Sequence, residues 1–478
     1  MVQKNLPQIK IHPQPPRIDM KRIIIILFSI VVLNACMVGP KYSRPTATKA
    51  PASYAQEQTK SDSITRLKWW EFFQDSALNQ LIRISLKENK DLLTAISRVE
   101  ESRAILGYNK ANLGPFLDYS VRARNTNFGA TAEGATVAFP TNSYSGLGNI
   151  SWEIDIWGKL RHANRAAYAQ MMASEEDRKG VYISLVSQVA ENYFQLRGLD
   201  ERHQIAKQTY ESRKEYERIL TLRFEKGEVA ELDKLQAEQI TASAEAQVYV
   251  LQREIVLTEN ALNVLLGRAS TPITRGISNA EQKLPAEIPQ GLPSQLLERR
   301  PDIRASEQRL ISQTEQVGYS VALRFPSLSL TGFLGVASQD LSSIGNSDAF
   351  LGSVTGQLTG PFFRFNQNKR RVEDEKALAQ QYAYAYEKTV INAFAEVENS
   401  LAQISTYKKE YDARAHQVQA TQKTLNLSKA LYDNGYTSFL QVLDSERELY
   451  SAAYDKSVAL QNQLISTVML YKALGGGW

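Results

Sequence analysis

"NKDLLTAISRVEESRAILGYNKANLGP" (residues 89–115) recurs in weakened form 211 residues later as "RPDIRASEQRLISQTEQVGYSVALRFP" (residues 300–326). The two stretches align without a gap, so that Asp91 matches Asp302. Self-similarity at a fixed spacing is typical of a repeated structural unit, and the chain is therefore interpreted as a duplication of about 200 residues.

A second pair of stretches supports the duplication. "FEKGEVAELDKLQAE" (224–238) and "YDNGYTSFLQVLDSE" (432–446) share the pattern [FY]-x-x-G-x4-L-x2-L-x2-E at a spacing of 208 residues. We expect four parts along the chain: a leader and signal peptide at 1–35, a Pro/Ser/Thr-rich linker at 36–68, a first structural repeat at 69–275 and a second at 276–478.

Two long stretches without proline predict the helices. No proline occurs between Pro140 and Pro272, and none follows Pro361. Proline costs about 3 kcal/mol inside a helix, so these stretches can hold long helices. The apolar positions there follow helical spacing, for example Leu251, Ile255, Thr258, Leu262 and Leu265. A helix from about Lys159 to Phe224 would be roughly 100 Å long, which indicates a coiled-coil rod or a helical tube.

Four other segments have the alternating pattern of β-strands. They are residues 118–128, 150–158, 326–338 and 349–363, of which "ISWEIDIWG" (150–158) alternates most clearly. Four strands cannot close a barrel, and their open edges would leave backbone groups unpaired in lipid. Other copies of the chain must therefore complete the sheet, and a trimer would supply twelve strands, an even number that suits an outer-membrane barrel.

The N-terminal region predicts export and lipid attachment. The apolar run "IIIILFSIVVL" (23–33) follows Lys21-Arg22 and is too short for a permanent anchor, which needs about 20 apolar residues. It has the charged–apolar–small order of a secretory signal, with Met20 as a candidate start. Cys36, the single cysteine, follows Leu33-Asn34-Ala35, which resembles a bacterial lipobox. We expect Cys36 to be lipidated; a chance cysteine behind an ordinary signal peptide is the alternative.

Composition excludes several classes of protein. Residues 1–35 carry five basic residues and one acidic residue, so the remainder has 51 basic and 50 acidic residues. This balance leaves no excess of positive charge that would favour binding of nucleic acid. The mean hydropathy of −0.34 excludes a bundle of membrane helices. The four histidines are scattered without HExxH, and no GxxxxGK[ST] occurs. We expect no enzyme, no metal site and no cofactor apart from the covalent lipid on Cys36.

Several motifs resemble the outer membrane factor family, the TolC/OprM-type exit ducts of tripartite efflux and type I secretion systems, and its lipoprotein branch most closely. They are the two hairpin motifs above, "CMVGPKYSRP" (36–45), "LLERRPDIRASEQRL" (296–310) and "LYKALGGGW" (470–478). The resemblance implies a mixed α and β membrane protein. Its homotrimer would combine a twelve-stranded outer-membrane β-barrel, four strands per chain, with a long periplasmic α-helical barrel.

The same resemblance implies a function and partners. The chain would be the outer-membrane exit duct of a tripartite efflux pump that passively conducts drugs or other toxic small molecules. Its partners would be a periplasmic adaptor (membrane fusion) protein, an inner-membrane RND-type pump and outer-membrane lipid. The alternative is a non-conducting coiled-coil structural lipoprotein of the cell envelope, against which the alternating Gly-rich strand segments argue.

Besides Cys36, four residues are candidate site residues. Gly227 and Gly435 interrupt helical stretches at equivalent places and predict helix–helix turns. The resemblance makes these turns face the adaptor, although turns without a partner stay possible. It also assigns Leu440 and Asp444 to a periplasmic gate, with Gln441 where some members carry an acidic residue. Asp444 could instead favour a helix start through the helix dipole.

Overall fold

The computed structural model describes residues 37–45, 69–126, 141–282 and 293–476. Cys36, the leader at 1–35 and most of the linker at 36–68 lie outside the described residues. The described part of the linker, residues 37–45, contains neither helix nor strand.

Helices make up most of the described chain, and one order of elements occurs twice. Each time a helix of 22 residues precedes two strands, a helix of 67 residues and a helix of 35 residues. The helices are α1 (Trp69–Phe72), α2 (Ser76–Glu88), α3 (Lys90–Ala111), α4 (Lys159–Glu225), α5 (Glu231–Leu265), α6 (Pro293–Arg299), α7 (Pro301–Ala322), α8 (Gln367–Asp433) and α9 (Phe439–Ala473). The strands are β1 (Phe116–Thr126), β2 (Thr141–Ile154), β3 (Ser327–Ser338) and β4 (Phe350–Thr359).

The chain divides into two compact units. The first contains residues 37–42, 107–126, 141–166 and 313–377, and it holds the β-sheet. The second contains residues 43–45, 69–106, 167–282, 293–312 and 378–476, and it holds the helical cores. We call this second unit the helical unit.

The four strands of the first unit form one antiparallel sheet in the order β1-β2-β3-β4. β1 pairs with β2 from Phe116↔Ser151 to Thr126↔Thr141. β2 pairs with β3 from Tyr144↔Ser338 to Ile154↔Leu328, and β3 pairs with β4 from Ser327↔Thr359 to Val336↔Phe350. The sheet is a meander in which each strand follows its predecessor in the chain.

The predicted second strand, residues 150–158, was wrong in its bounds. β2 begins nine residues earlier, at Thr141, and ends at Ile154. Residues 141–149 are rich in Ser, Asn and Gly, which have low β-propensity. All of them pair with β1, and residues 144–149 pair with β3 as well, so the ladder outweighs their local preference.

The helical unit is stabilised by several apolar cores. The largest is formed by α1, α2, α3, α4, α5 and α9, with Tyr193, Phe194 and Leu262 among its fully buried side chains. Of the predicted helical stripe, Leu251, Thr258 and Leu262 are buried in α5, and Ile255 and Leu265 pack against the core. The predicted long helix is confirmed by α4, which spans Lys159–Glu225.

Two of the sequence motifs meet in the helical unit. The Arg300 guanidinium, of the "RRPDIR" stretch, donates to the Ala473 carbonyl at 3.0 Å at the end of α9. It also pairs with Asp302 at 2.6 Å and with Glu396 at 2.7 Å. Burial alone would lower the pKa of Arg300, but these two carboxylates outweigh it and raise the pKa above its ordinary value. The start of the second repeat is thus tied to the C-terminal motif.

Candidate functional site

One face of the sheet is almost entirely apolar. Directly paired residues share a face of a sheet, so the register assigns every side chain to one side. One face carries alternate residues of all four strands, most of them apolar or glycine: Leu117, Tyr119, Val121, Ala123, Tyr144, Gly146, Gly148, Ile150, Trp152, Ile154, Leu328, Leu330, Gly332, Leu334, Val336, Phe350, Gly352, Val354, Gly356 and Leu358. Its polar members are Asn125, Asn142 and Ser338. Tyr119, Val121 and Val354 are among its most exposed members. A large exposed apolar surface of this kind marks contact with lipid or with protein.

The opposite face of the same sheet is mostly polar. It carries Asp118, Ser120, Arg122, Asn149, Ser151, Glu153, Ser329, Thr331, Ser353, Thr355 and Gln357, with Phe116, Leu147, Phe333, Ala337 and Leu351 as apolar exceptions. Asn149 donates to Ser120 across the β1–β2 pair at 3.3 Å. A sheet that is apolar on one side and polar on the other suits a wall between lipid and an aqueous lumen.

Gly227 and Gly435 lie in turns between long helices. The first turn, residues 226–230, joins α4 to α5, and the second, residues 434–438, joins α8 to α9. The φ angles of the two glycines are +75° and +78°. In each turn the glycine N–H and the next N–H donate at 2.9 Å to carbonyls three and five residues earlier. This is the Schellman arrangement that ends helices, and it occurs identically in both halves. We name these two segments the hairpin turns.

The two helical hairpins pack on each other near these turns. Phe439 lies at the centre, with its ring 6.3 Å from that of Tyr216 and 5.4 Å from that of Tyr432. The buried members of the cluster are Leu220, Ala237, Ile240, Leu425, Phe439, Val442 and Leu443. The hairpin turns are therefore held at fixed positions within this unit.

Leu440 and Asp444 project from the opposite side of α9. Leu440 is 51% exposed, and the Asp444 side chain is 53% exposed, while Phe439 and Leu443 are buried. The two residues are four positions apart and so share one face of the helix. Asp444 Oδ1 lies 3.5 Å from Arg447 Nη1. Asp444 is in the second turn of α9, where the helix dipole is weak, so the dipole interpretation loses support.

Two tyrosines near the hairpin turns have pKa values above the ordinary value for tyrosine. Burial raises the pKa of Tyr216 to about 12, and Asp433 and Glu446 act in the same direction. Burial also raises the pKa of Tyr432, and the charge of Asp233 adds to the effect. Both hydroxyls therefore stay protonated at any physiological pH.

His162 binds the backbone of Val38, two residues after Cys36. No sequence motif predicts a role for this histidine. His162 is buried in the first turn of α4, and its Nδ1 lies 2.6 Å from Glu315 Oε2. Its Nε2 lies 2.8 Å from the Val38 carbonyl oxygen, and the Val38 N–H donates to the Trp157 carbonyl at 3.2 Å. A carbonyl oxygen only accepts, so Nε2 must carry a proton. No spacing rule would have revealed this role, because Val38 and Glu315 are far from His162 in sequence.

Two kinds of feature are absent from the described residues. None of the helices in that part of the chain combines the length and the apolar character needed to cross a bilayer. Within the same residues, no group of three or more His, Cys, Asp or Glu side chains could hold a metal ion.

Comparison with known proteins gives one consistent family. The family model described as outer membrane efflux protein matches residues 81–268 and 292–476. The chain is 31% identical over 459 residues to the solvent efflux pump outer membrane protein SrpC of Pseudomonas putida, covering 95% of this chain and 97% of that protein. It is 30% identical over 455 residues to the cation efflux system protein CusC of Escherichia coli O157:H7, covering 94% and 97%. Among solved structures, the outer-membrane channel OprN superposes with a TM-score of 0.85 at 30% identity, covering 93% of this chain and 100% of that one.

Proposed function

The chain belongs to the outer membrane efflux protein family, and we propose that it is the passive exit duct through which a tripartite pump releases toxic small molecules. It is an outer-membrane protein, and its family is one of efflux ducts rather than enzymes. The observation that carries the duct function is the sheet, whose one face is apolar and whose other face is polar over all four strands. A structural spacer has no use for such a sheet.

The complete duct is a homotrimer with a twelve-stranded barrel. One chain supplies four strands, and the outer edges of β1 and β4 have no strand partner within the described chain. Unpaired edges in lipid cost several kcal/mol for each backbone group, so neighbouring copies must cover them. Each of the two proposed structural repeats, 69–275 and 276–478, contributes one pair of strands to the barrel.

The hairpin turns are the docking sites for a periplasmic adaptor. Gly227 and Gly435 each end a long helix and open an exposed turn, whose backbone is fixed by Schellman hydrogen bonds and which lies beside the apolar cluster around Phe439. Because the rigid hairpin turn occurs twice in each chain, it offers a partner several equivalent contacts. The adaptor would link the duct to an inner-membrane RND-type pump.

Leu440 and Asp444 form the periplasmic gate. Their exposure on one face of α9, opposite the packed face, leaves them available to line an entrance. Three copies of Asp444 around an axis would repel one another and attract cations, most strongly at low salt.

The cargo and the lipid are further parts of the proposal. Relatives are named for solvent efflux and for cation efflux, so the cargo is a small toxic compound whose identity is set by the pump. A lipid on Cys36 would be joined to the duct through the segment that His162 holds at Val38. We propose that it serves sorting and assembly.

Planar-bilayer recording on the purified protein tests the duct. We expect small or rare conductance in the wild type and a clear increase in Asp444→Ala, because removing the acidic ring loosens the entrance. Glu101→Ala is the matched control, since Glu101 is an exposed acidic residue on another helix, α3, away from the face of α9 that carries Leu440 and Asp444. We expect its conductance to equal that of the wild type.

Two results would count against the proposal. Absence of conductance in both the wild type and Asp444→Ala would contradict the duct and favour the spacer. Equal increases in Asp444→Ala and Glu101→Ala would leave the duct in place but remove Asp444 from the gate.

A further inference from the structure

A cavity of about 260 Å³ lies between α4, α5 and α9 in the helical unit. This is far larger than the roughly 10–15 Å³ that one water requires. Its polar walls come from all three helices: Thr209, Arg213, Ser243, Gln247, Arg447 and Tyr450. The duct function assigns no role to this space.

Arg213 is the buried charge of the cavity. It is only 7% exposed, and its Nη1 donates to the Ile240 carbonyl at 3.3 Å. Its Nε lies 3.8 Å from Glu446 Oε2, beyond hydrogen-bond distance, and has no hydrogen-bond partner. Glu446 is paired more closely with Lys429, at 3.0 Å. Arg213 thus keeps a buried N–H donor without an acceptor, a costly arrangement.

A second donor of the cavity is also without an acceptor. The buried hydroxyl of Tyr450 has no hydrogen-bond partner. It lines the same cavity as Arg213 and Arg447. Unsatisfied donors on two different helices, α4 and α9, therefore border one space.

The charge of the cavity wall is positive. Arg213 and Arg447 both line it, and none of its described lining residues is a carboxylate. The nearest carboxylates lie outside the lining: Glu446 is 3.8 Å from Arg213, and Asp444 is 3.5 Å from Arg447. Burial is the main cause that lowers the pKa of Arg213; Glu446 opposes it, and the positive charge of Arg447 adds to it. The two guanidinium groups therefore repel each other, and a negative charge between them would relieve that repulsion. Planar guanidinium groups suit the oxygens of phosphate and carboxylate.

We propose that this cavity binds a small oxyanion of the phosphate or carboxylate class, with Arg213 and Arg447 as its charged ligands and the Tyr450 hydroxyl as a neutral donor. Thr209, Ser243 and Gln247 supply further polar groups around it. The site lies within the helical unit, and its occupancy can be measured without recording conduction.

Equilibrium dialysis of the purified full-length protein against radiolabelled inorganic phosphate tests the site. We expect saturable binding of one phosphate per chain. Sulfate should displace it if the site prefers tetrahedral oxyanions, and acetate should displace it as well if carboxylates are accepted. Chloride at the same ionic strength should leave it bound.

Substitutions identify the cavity as the place of binding. Arg447→Gln should weaken phosphate binding about tenfold or more, because a charge-assisted contact is lost. Arg447 is more than half exposed, so this variant keeps its fold. Tyr450→Phe should weaken binding by a smaller factor. Arg218→Gln is the matched control, since Arg218 is an exposed arginine of α4 paired with Glu215 outside the cavity.

Three results would overturn the proposal. These are no saturable phosphate binding to the wild type, unchanged affinity in both Arg447→Gln and Tyr450→Phe, and an equal loss of affinity in Arg218→Gln and Arg447→Gln.

Discussion

At the residue scale, one buried tyrosine joins separate parts of the helical unit. The Tyr193 hydroxyl donates to Asp75 Oδ2 at 2.7 Å and accepts the Gly276 N–H at 2.9 Å. Asp75 Oδ1 in turn accepts the Ala77 N–H at 2.9 Å and caps the start of α2. Burial first, and then the hydrogen bond and charge of Asp75, raise the pKa of Tyr193. This hydroxyl therefore acts as a permanent donor.

Tyr193→Phe should lower the free energy of unfolding by about 1–3 kcal/mol, because the Gly276 N–H loses its acceptor in the core. Asp75 Oδ2 keeps the amide of Gln282 at 3.0 Å, which limits the loss. The folded-state pKa is raised above the ordinary value of 10, so the contribution of Tyr193 is complete below pH 10 and is lost as the pH rises through the folded value. Thermal unfolding at pH 8 and pH 11 should show a smaller difference between wild type and variant at pH 11.

Tyr249→Phe is the control for this prediction. Tyr249 is exposed on α5, and its substitution should leave unfolding unchanged at pH 8. A gap between wild type and Tyr193→Phe that widens above pH 10 would contradict the assignment.

The sequence predicted the glycines at which the helices end, but it did not predict the residues that form buried polar contacts. Gly227 and Gly435 were found because a glycine that ends a helix has a local reason. His162 and Arg213 were not found, because their partners lie on other elements and no local pattern records them. Such contacts exist only once the chain has folded.

At the element scale, the long helices followed from the sequence and one strand did not. Proline-free stretches with helical spacing predicted α4 to within one residue of its observed end. β2 was misjudged because its Gly- and Ser-rich first half depends on two neighbouring strands. Strand bounds are set by pairing partners, whereas helix bounds are set largely within the segment itself.

Replacing glycine by alanine should lower the stability of the protein in the hairpin turns and raise it inside α3. Gly227→Ala and Gly435→Ala should each cost about 1–2 kcal/mol, because a left-handed backbone disfavours a Cβ atom. No atom within 4 Å would meet the added Cβ at either position, so strain of the backbone is the whole effect. Gly107→Ala, inside α3 and equally open, should instead stabilise the protein by about 0.5–1 kcal/mol.

Thermal unfolding of the three purified variants measures these effects. Equal effects of the same sign at all three glycines would contradict this prediction, since Gly227 and Gly435 have positive φ and Gly107 does not.

At the scale of the whole molecule, the number of strands constrains assembly. The meander β1-β2-β3-β4 is antiparallel throughout, so β1 and β4 run in opposite directions. In a ring of copies, β4 of one chain can therefore pair with β1 of the next and continue the antiparallel pattern. The pairing leaves no free edge once the ring closes.

Disulfide cross-linking tests this closure. In a Cys36→Ser background, one cysteine replaces Val121 on β1 and a second replaces, in turn, residues 350, 352, 354, 356 and 358 on β4, all on the apolar face. We expect at least one pair to give linked dimers and trimers, and nothing larger, because a closed ring has no end to extend. Cysteines at Ser353 or Thr355, on the opposite face, should not link to position 121, since bonded residues must have Cβ atoms about 4 Å apart. Linked species larger than trimers would mean that the sheet stays open or closes with a different number of copies.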